Sequence, residues 1–359
     1  FYSMVYFELA LAVLMFFLMQ YGCYYFFGLF VNSEVVFTKS LEYLDTRSWG
    51  VFFSYTGVAV IALYTGVART TFIIVDTVIL GMVNIALNYG LIFGHWGLPA
   101  MGIAGAGLAS TIAEIVAFAV FMVYIFFDRK ARDYRLFKLP NVDLKLIKQQ
   151  YKLALPIVAQ SFVGLGSWFV FFGIVENLGE RELAITNLVR MVYLILSIPT
   201  WGFASGVNTL VSNFIGQRKR QAVLPIIWKT AKACWLTTMV LTLPVVLYPH
   251  ELLYPLLGGA DMTIITDARP VFYVLIGILT CFSIGSVYFN GLAGTGATFF
   301  GLIIQTICAA VYLAYIYIVV NYTNLGLPWA WGSEILYWIV MMAIVLWYMR
   351  SRKWHQLKV

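Results

Sequence analysis

Long apolar stretches recur along the chain with short polar turns between them, and they predict ten helices of membrane-spanning length. The stretches cover residues 2–30, 49–67, 71–94, 103–127, 151–175, 184–213, 225–248, 271–293, 298–320 and 328–349. As helices, all are long enough to cross about 30 Å of hydrocarbon. Trp49, Trp201, Trp329 and Trp331 fall near predicted ends, where an indole suits the boundary between hydrocarbon and water. The pattern also repeats. Thr71-Phe72 opens a span that closes at Gly97-Leu98-Pro99, Thr298-Phe299 opens one that closes at Gly326-Leu327-Pro328, and each is followed by another apolar span. Weak internal symmetry of this kind marks secondary transporters built from duplicated halves. It predicts that residues 49–127 superpose on residues 271–349 through an axis near the membrane normal.

Composition sets the solvent. With 62% hydrophobic and 11% charged residues, the apolar surface exceeds what one soluble core could bury. The expected fold class is an all-α polytopic membrane protein with two pseudo-symmetric lobes. Residues 1–127 form the first lobe, 128–150 a basic linker, 151–350 the second lobe and 351–359 a tail. Four predicted spans precede the linker and six follow it, so the symmetry predicts two further spans ahead of residue 1.

The net charge of +7 changes the picture by its placement. Arg129, Lys130, Arg132, Arg135, Lys138, Lys145, Lys148 and Lys152 cluster around the linker. Arg218, Lys219 and Arg220 fill a second loop, and Arg350, Arg352, Lys353 and Lys358 close the chain. The intervening loops carry Glu176, Glu180, Glu182, Glu251, Asp261 and Asp267 against Arg181 and Arg269. Basic loops mark the cytoplasmic side. Both termini of the protein are therefore expected in the cytoplasm, across an inner (plasma) membrane. No compact basic domain accompanies the charge, which argues against a nucleic-acid partner.

Familiar enzyme chemistry finds little footing. Cys23, Cys234, Cys281 and Cys308 fall within spans without metal-type spacing and suit packing, and His95, His250 and His355 lie in separate loops or the tail. Gly102-Ile-Ala-Gly105-Ala-Gly107 has the wrong order for a dinucleotide fingerprint. Its small residues instead suit close approach between membrane helices.

Several motifs resemble one family. Asn84-Ile-Ala-Leu-Asn88-Tyr-Gly-Leu-Ile-Phe-Gly94 is followed by Gly97-Leu-Pro99, Met101-Gly102-Ile and Gly105-Ala-Gly-Leu-Ala-Ser110. This run resembles the fifth-to-sixth helix region of the multidrug and toxic compound extrusion (MATE) transporters. Leu153-Ala-Leu-Pro156 and Thr209-Leu-Val-Ser-Asn-Phe-Ile-Gly216-Gln217 resemble the start of that family's second lobe and the end of its second helix. The resemblance implies twelve helices, of which this chain would hold helices three to twelve. It also implies that Asn84, Asn88 and Ser110 help to form a cation site in the first lobe. One branch of the family places acids on its seventh and tenth helices, but the matching positions here fall near Gly164 and Phe282, so a second-lobe cation site is not expected from the resemblance.

Polar groups inside spans are the remaining candidates, because a charge at mid-membrane costs at least about 3 kcal/mol. In the first lobe these are Asp76 and Glu114, with Asn84 and Asn88 four apart on one helix face and Ser110 and Glu114 four apart on the next. Their oxygens suit sodium, and a carboxyl in low dielectric can instead carry a proton. Glu114 is expected near the bilayer middle as the main ion-responsive acid, and Asp76 either shares that role or pairs with Arg69. In the second lobe Gln160, Asn187, Arg190, Asn208 and Glu334 are the substrate-cavity candidates, with Arg190 expected to pair with Glu182 or Glu334. The expected function is a cation-coupled antiporter, not an enzyme, exporting small amphipathic or cationic compounds by alternating access. It would work as a monomer among membrane lipids, with no cofactor beyond the coupling proton or sodium. The alternatives are a flippase for lipid-linked precursors from the same superfamily and, behind it, a polytopic membrane enzyme.

Overall fold

The computed structural model describes residues 2–31, 33–67, 69–128, 143–257, 263–351 and 354. The basic stretch 129–142 and the tail residues 352–353 and 355–359, assigned above to the cytoplasm, lie outside these. All regular structure among the described residues is helical: α1 (Tyr2–Phe17), α2 (Cys23–Phe30), α3 (Glu34–Arg47), α4 (Val51–Gly66), α5 (Thr71–Phe93), α6 (Ile103–Phe127), α7 (Leu144–Glu176), α8 (Glu180–Gly216), α9 (Val223–Leu247), α10 (Pro249–Leu257), α11 (Thr263–Ala293), α12 (Thr298–Tyr322) and α13 (Leu327–Arg350). Among the described residues, ten segments are long and apolar enough to cross a bilayer. The chain divides into two compact units, Phe1–Gln149 and Gln150–Val359.

In the first unit the helices begin and end where local chemistry tells them to. Ser33 caps α3 by accepting from the backbone N–H of Val36 at 3.4 Å, while Glu34 and Arg47 place opposite charges at its two ends, matching the helix dipole. This polar helix runs through a short 3-10 turn at Ser48–Gly50 into α4, so the span predicted at 49–67 extends back to Glu34. Hydropathy missed it because its exposed face is polar, as in the Lys39–Glu42 pair. The α5–α6 connection turns on Gly94 and Gly97, at φ 75° and 77°. It is closed by the Met101 N–H donating to the Leu91 carbonyl at 2.8 Å. The small-residue run then lets backbones meet: a Cβ at Gly105 would stand 2.5 Å from the Leu91 carbonyl oxygen, and one at Gly107 2.7 Å from that of Tyr43. Gly326, the repeat partner of Gly97, has the same φ of 77°, a left-handed setting that glycine adopts freely.

In the second unit α11 packs against α8, α9, α12 and α13. Phe272, Leu275 and Leu279 of α11 meet Val189, Val192, Phe171 and Trp331 in one buried cluster. Val287 and Leu292 join Ile227, Ile304, Met341 and Val345 in a second. Trp331 is thus a core residue and not an interfacial anchor, whereas Trp49 and Trp329 are exposed. Helix α7 starts at Leu144, ahead of the span expected from 151, because the Asp143 carboxylate accepts from the backbone N–H groups of Lys145 and Leu146 at 2.9 and 3.2 Å.

Candidate functional site

Three first-unit candidates come together as a chain of hydrogen bonds. The Asn88 amide donates to the Asn84 carbonyl oxygen at 2.9 Å, and the Asn84 amide donates to Ser110 Oγ at 3.1 Å. Spacing of four residues on α5 sets the first contact, and the close α5–α6 hairpin sets the second. Asn88 Oδ1 is buried and accepts nothing. A buried acceptor without a partner is costly. The cluster therefore offers one unclaimed neutral oxygen beside two others.

The two first-unit acids differ in their surroundings. Glu114 is not unpaired: Arg47 donates to it at two points, Nη1 to Oε2 at 2.8 Å and Nη2 to Oε1 at 2.6 Å. Two parallel N–H···O bonds are the strong arrangement of guanidinium and carboxylate. The same junction holds Thr111 Oγ1 donating to the Thr46 carbonyl at 2.9 Å and Thr46 Oγ1 donating to that of Ala104 at 3.0 Å, so Glu114 tightens the α3–α6 contact. Asp76 does not pair with Arg69, which instead donates to Asp128 at 2.8 Å, where Tyr64 also donates at 3.2 Å. Asp76 is 5% exposed, and its Oδ1 has no hydrogen-bond partner.

The second unit contains a cavity of about 640 Å³, a volume typical of small-molecule sites. Gln160, Gly164 and Trp168 of α7, Tyr193 and Trp201 of α8, Phe282 and Asn290 of α11, Gln305 and Tyr312 of α12, and Glu334, Tyr337 and Trp338 of α13 all line it. Rings wall it: Phe282 lies 4.9 Å from Trp338, Tyr193 5.8 Å from Trp168, and Tyr312 5.9 Å from Tyr337. Trp201, expected at a membrane boundary, opens onto this cavity.

Glu334 is the acid in it. Seven residues into α13, it stands about 10 Å from the helix start and is 5% exposed. Tyr312, Trp338 and Trp168 are its polar neighbours, yet Tyr312 Oη and Trp338 Nε1 stop short of a hydrogen bond and have no partner. The resemblance located missing acids near Gly164 and Phe282, and both of these line the cavity that Glu334 enters from a different helix. Gln160 joins Glu334 there, held by its amide donating to the Thr298 carbonyl at 2.9 Å.

The other three second-unit candidates stand apart. Asn187 is exposed and donates back to the Leu183 carbonyl at 3.1 Å, a helix-surface bond. Arg190 pairs with neither Glu182 nor Glu334. It is exposed and lies over the Phe172 ring at 5.0 Å, because a guanidinium can settle on an aromatic face when no carboxylate is within reach. Asn208 does not line the cavity. Its backbone carbonyl oxygen lies 2.6 Å from where a Cβ would stand at Gly294. Asn290, Gln305 and the ring walls were not singled out from sequence. Their even spread over several helices leaves no linear signal.

Residues 156–322 match the family described as MatE. The probable multidrug resistance protein NorM of Thermotoga maritima is 26% identical over 298 residues, 82% of this chain and 63% of that protein. The protein of the same name from a Synechocystis strain is 25% identical over 54% of this chain and 43% of its own. The chain thus spans less than two thirds of the length of these curated relatives. A multidrug resistance MATE family transporter of the MOP superfamily in its outward-facing conformation overlays at TM-score 0.87 and 17% identity, over 99% of this chain and 78% of the other. A MOP superfamily transporter from Pyrococcus furiosus gives 0.86 and 17%, over 98% and 78%. At such identity these overlays speak for the fold. Sequence relatives, the partial family match and the fold agree in likening this chain to the MATE transporters.

Proposed function

We propose that the protein is a cation-coupled antiporter that exports small amphipathic or cationic compounds, and that the second-unit cavity is a binding site in which Glu334 exchanges a proton for the compound. The observation that carries this is Glu334 itself: a buried carboxyl among aromatic walls, without a basic partner among the described residues, beside a phenol and an indole that have no hydrogen bond of their own. Aromatic faces attract organic cations, and a carboxylate completes such a site. When no cation is present, a proton can take its place as the counter-charge on the carboxylate. Two of the three polar neighbours of Glu334, Trp338 and Trp168, are N–H donors that cannot ligate a metal cation, and we take the proton as the coupling ion at this acid.

Asn84, Asn88 and Ser110 supply neutral oxygens and bind an ion without themselves titrating. Coupling requires that ion and compound differ in affinity between two states of the transporter. The protein would reside in the inner (plasma) membrane with both termini cytoplasmic and act as a monomer. A lipid-linked precursor flippase is less well supported, since Arg190 does not line the cavity. The test is uptake of a fluorescent cationic dye by everted vesicles under separately imposed sodium and pH gradients. The pH gradient should drive it, Glu334→Gln should abolish it, and uptake by neither gradient would refute antiport.

A further inference from the structure

From Leu183 to His250 the chain contains no Asp or Glu, yet it carries Arg218, Lys219 and Arg220 in one turn and Lys229 and Lys232 within α9. Both lysines are exposed. They stand six and nine residues into the helix, about 9 and 14 Å from its start, a depth at which a charge is costly unless its side chain reaches back to the interface. Helical Cα–Cβ bonds tilt toward the helix N-terminus, which here leads to the Arg218–Arg220 turn. Both amines are therefore directed toward the basic side of the membrane. Neither lysine forms an ion pair among the described residues.

Each lysine borders a groove. Lys229 meets Pro199, Gly202 and Gly206 of α8 along a trough of about 530 Å³, open enough that a Cβ at Gly202 or Gly206 would touch nothing within 4 Å. On the neighbouring face, Lys232 lies over the Trp228 ring at 4.8 Å and borders a second trough of about 530 Å³ with Trp235, Leu236 and Ile284. Polar atoms contribute little to either trough beyond the amines.

We propose that this part of α9 is a binding site for an anionic phospholipid of the cytoplasmic leaflet, its phosphate held between Lys229 and Lys232 and one acyl chain in each flanking groove. Charge complementarity selects the occupant. A soluble anion would leave both apolar grooves unfilled, and a zwitterionic lipid carries its own ammonium to compete with the lysines. Trp228 suits the same boundary.

The full-length protein, purified in detergent, would be offered phosphatidylglycerol and phosphatidylcholine at equal mole fraction and the retained lipid counted by native mass spectrometry. Phosphatidylglycerol should be retained in preference. Lys229→Gln with Lys232→Gln should weaken that preference by about thirtyfold, roughly fivefold for each lysine near a membrane surface. Each single Gln variant should show its own fivefold loss, and Lys232→Arg should keep the preference. Soluble glycerophosphoglycerol, the headgroup without chains, should not displace the lipid. Equal retention of the two lipids, an unchanged preference in the Gln variants, or displacement by the soluble headgroup would each overturn the proposal.

Discussion

Arg47 and Glu114 meet across α3 and α6 through two hydrogen bonds, of 2.8 and 2.6 Å. An acid at this depth expected to respond to ions is instead held by a guanidinium that cannot be neutralised. Removing one partner strands the other, so Glu114→Gln should destabilise the first unit by about 1–3 kcal/mol. The double change Arg47→Gln with Glu114→Gln should recover part of that loss. Thermal unfolding of the purified variants measures both, and equal stability of all three proteins would count against the pairing.

Close approach at the same junction gives a second expectation. A Cβ on Gly50 would stand 2.3 Å from Arg47 Nη1 and 2.6 Å from Glu114 Oε2, while a Cβ on Gly57 would meet nothing within 4 Å. Gly50→Ala should therefore cost about 1–3 kcal/mol, as overpacking does. Gly57→Ala should be neutral or stabilise α4 by up to about 1 kcal/mol. Detergent-solubilised yield against temperature would separate the two variants.

Asn84, Asn88 and Ser110 make a third case. Replacing both asparagines by Leu removes the amide chain and the unclaimed Asn88 Oδ1, and should weaken gradient-driven export while leaving the protein folded. Asn88→Asp adds a titratable oxygen where a neutral one stood, so export should persist with a changed pH profile. Vesicle transport at several pH values reads both. Normal export by the double Leu variant would reduce the cluster to a packing contact.

Much of the fold was legible because lipid enforces long apolar helices, and these leave a linear trace. The departures have local causes. α3 is polar and escaped hydropathy, and Asp143 starts α7 ahead of the span expected from 151. Gly105 and Gly107 serve helix packing as expected, whereas Gly102, at φ 57° with nothing within 4 Å of a Cβ, belongs to the turn ahead of α6. The first-unit site was half legible: spacing of four residues showed that Asn84 and Asn88 share a face, but nothing in sequence tied Arg47 to Glu114 across 67 positions. In the second unit Glu334 was visible as an acid inside a span. Its partner was misjudged because Arg190 faces away, a matter of helix rotation that single residues do not reveal. The aromatic walls were lost in a chain that is 17% aromatic throughout.

The central claim is that an organic cation and a proton compete for Glu334, and it can be measured without vesicles. A cationic dye would be titrated into the purified protein in weakly buffered solution, with dye binding followed by fluorescence polarisation and proton release by a pH electrode. If the two compete, dye binds more tightly as pH rises, binding expels a proton from the wild-type protein, and Glu334→Gln neither releases a proton nor shows the pH dependence. Dye binding without proton release, or the same release from Glu334→Gln, would contradict the assignment.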